Sequence, residues 1–580
     1  MCIRDSYDIV KKLDVLVFLD AVLVFLVFVK IINLLRVEWC LPIFPRPHLG
    51  IIFICFTGSP EIDEVLSRVL AFSALPATLF LVLRRPTLAR EFLEKVCIGF
   101  LFILVVVEVL ALLGWVTYPF FHGWKGWIWH FVEVENQLFY AWAPVCPLLF
   151  MVAAYIWLLK PLTKILGKMG KGFAKAFLRV DEWVGLVKTD EIRMPFTRYP
   201  KILLFASMLL SVILAFYPYH PSLNPNGRFV AVDVHYYFEW LGGLVSKPFP
   251  EALSYAFWEA SDGSRPIYLL LLYAIKTVTG LSVGDVAKFE LVFLAPLLVL
   301  SVYLFVKEGT GNRGYAALAA LFTAFSYNIT VGVFAGFYAN IFALILGFLF
   351  FTLLLKYMSN FSRKTLAVLT VVLALIIFVH PWTWCELVAV TIAYLLVVLV
   401  WEKNLEEFKK KIYPLGLILL VNFTVDIVKS LILKSLGGVQ GAYKVTSAWL
   451  SLNELARLWL NLKISFTSFS SGFYTNPVIL GLAIFGVLIL AYRRKDDYSR
   501  ILLAWVIVTS IPLPFSNYWA YSRLIFNLPL HILAFNTLAY LCALTQKEEN
   551  SRIHFTVKLL ILLITLLNLT YAFKSVINTV

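Results

Sequence analysis

VAKFELVFLAPLLVLSVYLFV, residues Val286 to Val306, is the stretch from which the architecture is read. A helix needs about 20 residues, at about 1.5 Å each, to cross a hydrocarbon core of about 30 Å, and this run is apolar for that length. It is followed by the basic residues Lys307 and Arg313. The runs Leu13 to Leu35, Val96 to Thr117 and Phe555 to Phe573 repeat the pattern. A chain of 580 residues that is 61% hydrophobic, 16% aromatic and only 15% charged carries more apolar surface than a soluble core hides. The chain therefore reads as an all-α, polytopic transmembrane helical protein with about 15 spans and external juxtamembrane helices. The first span lacks a small-residue cleavage site and reads as retained, not as a signal peptide.

A net charge of +15 would suggest nucleic acid in a soluble protein, but here the basic residues fall in the loops. Arg84, Arg85, Arg90 and Lys95 form one cluster, and the stretch from Lys160 to Lys201 carries another. Placing these, with Lys409 to Lys411 and Arg493 to Lys495, on the cytoplasmic side gives one consistent alternation of spans. The N-terminus is then cytoplasmic and the C-terminus external, in the cell membrane, with membrane lipid as a partner and no nucleic acid. The 7 cysteines show no CxxC pair and no metal spacing, so neither a disulfide framework nor a zinc site is expected.

The basic stretch divides the chain. Residues 1–160 read as an N-terminal membrane module, 161–201 as a cytoplasmic linker, and 202–580 as a second multi-span domain. Among its spans are 314–329 and 522–543. That domain has two long external segments, 220–285 and 437–476. The first contains helical stretches at Asp233 to Leu244 and Pro266 to Thr279, and in the second Leu452, Leu455, Trp459 and Leu462 share one face of an interfacial helix.

Chemistry concentrates in the first external segment. In Val232-Asp233-Val234-His235-Tyr236-Tyr237-Phe238-Glu239-Trp240 a carboxylate stands at the membrane surface at the start of an aromatic helix. Asp233 is well placed to accept a proton, and Tyr236, Tyr237 and Trp240 recur with it at helical spacing, as rings suited to stacking on a sugar or a head group. The competing reading is an interfacial aromatic belt with Asp233 as a helix cap. Arg265 precedes Pro266, which suits a first helical position, and a guanidinium fork suits phosphate; a snorkelling role is the alternative. His380 and Glu386, in His380-Pro381-Trp382-Thr383-Trp384-Cys385-Glu386, line the same outer cavity or form a plain hairpin between spans. Asp426 and Lys429, within one span, read as a mutually neutralising pair.

The order of span, external acidic helix, Pro-led second juxtamembrane helix and span ending in a basic turn resembles the GT-C superfamily of polyprenyl-phosphate-sugar-dependent glycosyltransferases. The resemblance runs over roughly Tyr199 to Lys356. It implies an inverting sugar transfer from a polyprenyl (dolichyl) phosphate to an acceptor glycan, lipid or protein at the outer face, with Asp233 as general base. His235, Tyr236, Glu239, Arg265, His380 and Glu386 are the accompanying candidates for substrate binding. The same resemblance adds Arg523, since these enzymes often carry a basic residue at the outer start of a late span. The leaving phosphate requires an arginine or a divalent cation, and the donor sugar and metal requirement are left open. The alternatives are a transporter or flippase for a lipid-linked or small substrate, marked by broken helices at the midplane, and a non-catalytic membrane protein.

Overall fold

The computed structural model describes residues 86–120, 198–401, 405–433, 457, 477–492, 496–512, 518–546 and 551–580. Among them every regular element is a helix. The expected spans at 13–35, 65–83 and 139–159, most of the basic linker, and the segment 437–476 apart from Arg457 lie outside the described residues. Seven helical segments among the described residues, Arg313–Ala335 counted as one, are long and apolar enough to cross a membrane, and four shorter apolar helices accompany them. The protein is membrane-embedded, as this composition requires.

The chain divides into two compact units. The first, residues 1–138 with 548–570, contains α1 (Pro86–Thr117) and most of the last helix, α17 (Ser551–Ile577). Leu101 and Val105 of α1 pack on Leu559, Leu563 and Leu567 of α17. These leucines fall at i, i+4, i+8, one stripe of a helix, which is why a single face forms the contact.

The second unit, residues 139–547 with 571–580, carries the rest. Its elements are α2 (Pro200–Phe216), α3 (Val234–Val245), α4 (Phe249–Ser254), α5 (Pro266–Thr279), α6 (Val283–Thr310), α7 (Arg313–Ala324), α8 (Tyr327–Ala335), α9 (Tyr338–Ser359), α10 (Arg363–Val379), α11 (Pro381–Trp401), α12 (Leu405–Leu433), α13 (Pro477–Tyr492), α14 (Asp497–Ser510), α15 (Tyr518–Asn527) and α16 (Leu530–Gln546). α6 is the central helix: α2, α7 and α9 pack around it, and α3 lies across its start. Its N-terminus is capped by Ser282, whose hydroxyl accepts from the Asp285 N–H at 3.0 Å, and Gly311 closes it in the left-handed conformation. α13 meets α16 so closely that a Cβ on Gly486 would stand 1.9 Å from the Leu533 carbonyl oxygen, so only glycine allows the approach.

Two expected spans are each broken in two. The stretch expected at 314–329 is α7 and α8, parted at Phe325 and extended Ser326, and that expected at 522–543 is α15 and α16, parted at Leu528 and Pro529. Pro529 has no N–H to continue the ladder, and the carbonyls it frees need partners in a place without water. The other break supplies them. The Tyr327 hydroxyl lies among the carbonyl oxygens of Ile525 at 2.7 Å, Phe526 at 3.0 Å and Leu528, and Asn328 Nδ2 donates to Phe526 O at 2.5 Å. The start of α8 therefore supplies donors to the carbonyls at the second break.

Candidate functional site

Asp233 is placed by its backbone. The Val232 N–H donates to Phe334 O at 2.9 Å and the Asp233 N–H to Ala335 O at 3.0 Å, fastening the chain to the end of α8. α8 turns away at Gly336, whose φ of +76° lies in the left-handed region, and a Cβ there would stand 3.2 Å from both Cβ and N of Asp233. Dihedral and close approach both call for glycine. Asp233 occupies the N-cap of α3, yet its φ of −86° and ψ of −2° are helical and its side chain makes no capping hydrogen bond. The capping role is thus not the one it fills. Half-buried, the carboxylate has no hydrogen bond or ion pair among the described residues.

Two arginines from distant parts of the chain act on it electrostatically. Arg265 is the N-cap of α5, with Pro266 at the first helical position. Its guanidinium lies over Trp240 at 5.3 Å and Tyr237 at 5.9 Å from the ring centroids, and Nη1 donates to the Tyr237 hydroxyl at 3.0 Å. Arg523, on α15, lies over Trp382 at 5.2 Å and Phe337 at 5.6 Å. Ring faces hold a guanidinium without neutralising it, and they favour its charge where water is excluded. Burial pushes the Asp233 carboxyl above the usual carboxylate range, opposed in decreasing order by the charges of Arg523, Arg265 and His235. The result is a carboxylate acted on by two guanidiniums and bonded to neither.

The aromatic face expected on α3 is split. Tyr236 and Tyr237, four and three residues before Trp240, both contact its ring, but they differ in exposure. Tyr237 turns inward, fully buried, where its hydroxyl also accepts from the Ala339 N–H at 3.3 Å, and burial pushes its pKa up to about 12. Tyr236 is exposed and stacks on Trp240 at 5.8 Å with a 21° interplanar angle. His235 is exposed, with Nδ1 held by Val232 O at 2.7 Å, leaving Nε2 outward. Glu239 is exposed on the same helix and makes no contact with either arginine.

The His380 turn is divided too. His380 is buried beside the pocket, where the charges of both arginines act on it, and its Nδ1 pairs with Thr383 Oγ1 at 2.8 Å, which donates to Asn340 Oδ1 at 2.5 Å. Glu386 is spent elsewhere. Its Oε1 accepts from Trp505 Nε1 at 2.9 Å and its Oε2 from Asn527 Nδ2 at 2.6 Å, joining α11 to α14 and α15 in the interior. Sequence reasoning also missed Glu290, buried in α6 where it accepts from the Tyr268 hydroxyl. A carboxyl inside an apolar run was the available signal, masked by its neighbour Lys288. Phe337 and Trp382, which seat Arg523, carried no local signal.

Among the described residues no group of three or more His, Cys, Asp or Glu side chains converges as a metal centre requires. A comparison with protein-family models finds no match, and a comparison with curated proteins finds none either.

Proposed function

We propose that this chain is a GT-C-like membrane glycosyltransferase that transfers a sugar from a polyprenyl phosphate to an acceptor hydroxyl at the outer face. One observation carries the reading: a half-buried carboxylate with no bonded partner faces two ring-seated arginines on separate elements. An inverting displacement needs both parts. Asp233 takes the proton of the acceptor hydroxyl as its oxygen attacks the anomeric carbon and the bond from that carbon to the phosphate oxygen breaks. The lipid phosphate leaves with one more negative charge than it had as a diester. Arg265 and Arg523 gain interaction energy as that charge develops, which is where binding energy accelerates a reaction. Tyr236, stacked on Trp240, offers a ring face to the sugar. In this reading the chain has about 15 spans, with Asp233 external, the N-terminus cytoplasmic and the C-terminus external.

The helix breaks at Ser326 and Pro529 are the observation that favours a transporter or flippase. Such a protein leaves the freed carbonyls to its cargo, whereas here Tyr327 and Asn328 occupy them. The enzyme reading is therefore preferred.

The test is transfer of radiolabelled sugar from polyprenyl-phosphate sugars in membranes containing wild type or Asp233→Asn at matched levels. Transfer by the wild type that the variant lacks supports the reading. Equal transfer by both removes Asp233 as the base, and absence of transfer with uptake of the lipid-linked sugar favours the flippase.

A further inference from the structure

Lys429 is a charged side chain of an apolar helix, only 2% exposed, within the candidate span Phe408–Ile432. The expected partner, Asp426, acts on it electrostatically. Its ammonium also donates to two backbone carbonyls outside its own helix, Ile377 O at 3.0 Å and Ser264 O at 3.4 Å, and it sits 5.3 Å from the centroid of Phe378. Both carbonyls belong to turns that carry site residues.

Ile377 lies in the last turn of α10, three residues before His380. Its carbonyl would ordinarily accept from the residue four positions on, but that residue is Pro381, which has no N–H. Lys429 fills the vacancy. Ser264 immediately precedes Arg265, and the chain reaches it through an unusual turn in which Ser261, Asp262 and Gly263 all have positive φ, of 53°, 53° and 63°. Left-handed conformations at consecutive residues with side chains are costly and persist only where surrounding contacts hold them. The hydrogen bonds that hold it, among the described residues, are Ser261 Oγ to Ser264 Oγ at 2.8 Å, Ser264 N–H to Ser261 O at 2.9 Å, and Lys429 on Ser264 O.

We infer that Lys429 is a positioning residue that straps the strained Ser261–Ser264 turn to the end of α10 and so holds the Arg265 guanidinium on Tyr237 and Trp240. The functional weight of this role rests on the reading of Arg265 as a contact of the leaving phosphate, but the strap itself is a property of the fold. A lysine in this place costs desolvation that a purely apolar helix contact would avoid, and the donated hydrogen bonds, with the charge of Asp426, offset it.

The experiment is modification of Arg265 by phenylglyoxal, followed by peptide mass spectrometry, in the full-length protein in lipid nanodiscs, alongside sugar transfer. Lys429→Met, which keeps the length and removes the donors, is expected to raise the modification rate about tenfold as the turn opens more often. Lys429→Arg retains donors and is expected to stay near wild type. Asp262→Gly removes the cost of one left-handed residue, so in combination with Lys429→Met it is expected to bring the rate back towards wild type. A folded Lys429→Met protein with unchanged Arg265 reactivity overturns the proposal. Should Lys429→Met fail to fold alone, the proposal requires Asp262→Gly to restore folding, and a pair that still fails overturns it. In transfer, the strap predicts a fall in kcat larger than the rise in KM. A wild type without transfer, together with the predicted modification pattern, would overturn the glycosyltransferase reading and leave the strap standing.

Discussion

The two ends of α11 treat an aspartate in opposite ways. At one end, beyond His380, Asp233 faces two guanidiniums and bonds to neither. About 20 Å along the helix, at Tyr394, Asp497 of α14 is saturated. Lys411 Nζ reaches its two oxygens at 2.8 and 3.0 Å, Arg500 Nη1 lies at 3.3 Å, and the Tyr394 hydroxyl donates at 2.9 Å. Those contacts join α11, α12 and α14 and engage both oxygens of the carboxylate. Both places carry one acid and two bases. In one the charges are spent on each other, and in the other both arginines lie over rings and neither is bonded to the carboxylate. The difference separates a fastening from a site.

The largest expected effect follows directly. Asp233→Asn removes the base and should lower transfer about 10²–10⁴-fold with little change in thermal unfolding, whereas Asp497→Asn should lower the unfolding temperature and leave transfer per folded molecule close to wild type. Equal loss of transfer in the two, measured at matched folded protein, would erase the distinction. Next come the arginines. On the proposed reading Arg523→Met or Arg265→Met removes one donor to the departing phosphate and should cost about 10²–10³-fold in kcat, and Arg→Lys at either position should recover only part because an ammonium lacks the planar fork and stacks poorly. Full activity with lysine would mean that charge alone suffices and that the ring seats are incidental.

The stability side of the comparison is smaller. Asp497→Asn leaves Lys411 and Arg500, 15% and 6% exposed, facing a neutral amide, with a cost of about 1–3 kcal/mol. Gly336→Ala sits on the other side of the line. Its φ of +76° and the 3.2 Å approach to Asp233 impose about 1 kcal/mol of strain and displace the base, so transfer should fall more than stability does. A variant that loses both in proportion would show that the α8 turn is a fastening as well.

Local signals made part of this readable before the fold was known. Helices expected at Asp233 to Leu244 and Pro266 to Thr279 are found at Val234–Val245 and Pro266–Thr279, because Pro266 starts the second and left-handed Gly280 ends it. Asp233 and Arg265 stand out in sequence as polar residues beside membrane spans. What could not be read was pairing. Nothing in the neighbourhood of Tyr327 says that its hydroxyl meets carbonyls freed by Pro529, and nothing near Glu386 says that Trp505 and Asn527 take both its oxygens. Nor could Phe337 and Trp382 be told from other interface rings, since their use depends on Arg523, far along the chain. Apolar length reports where a helix crosses but does not register a break, which is why two expected spans each proved to be two helices.

The finest test reads the electrostatics of the unsaturated end alone. Asp233 must be ionised to accept a proton, so transfer should rise with pH through its pKa, and because burial raises that pKa the acid limb should lie above the usual carboxylate range. The nearby cations favour the ionised form, Arg523 most, then Arg265, then His235. Removing a cation therefore raises the pKa further and moves the acid limb to higher pH. The residual transfer of Arg523→Met should show the largest such displacement, Arg265→Met a smaller one and His235→Gln the least, while Asp497→Asn should leave the limb where it is. The profile of kcat/KM is the one to measure, since it reports the free enzyme. Displacement in the opposite direction, or the same displacement from Asp497→Asn, would mean that the limb belongs to some other group and that the open charges around Asp233 do not govern its proton.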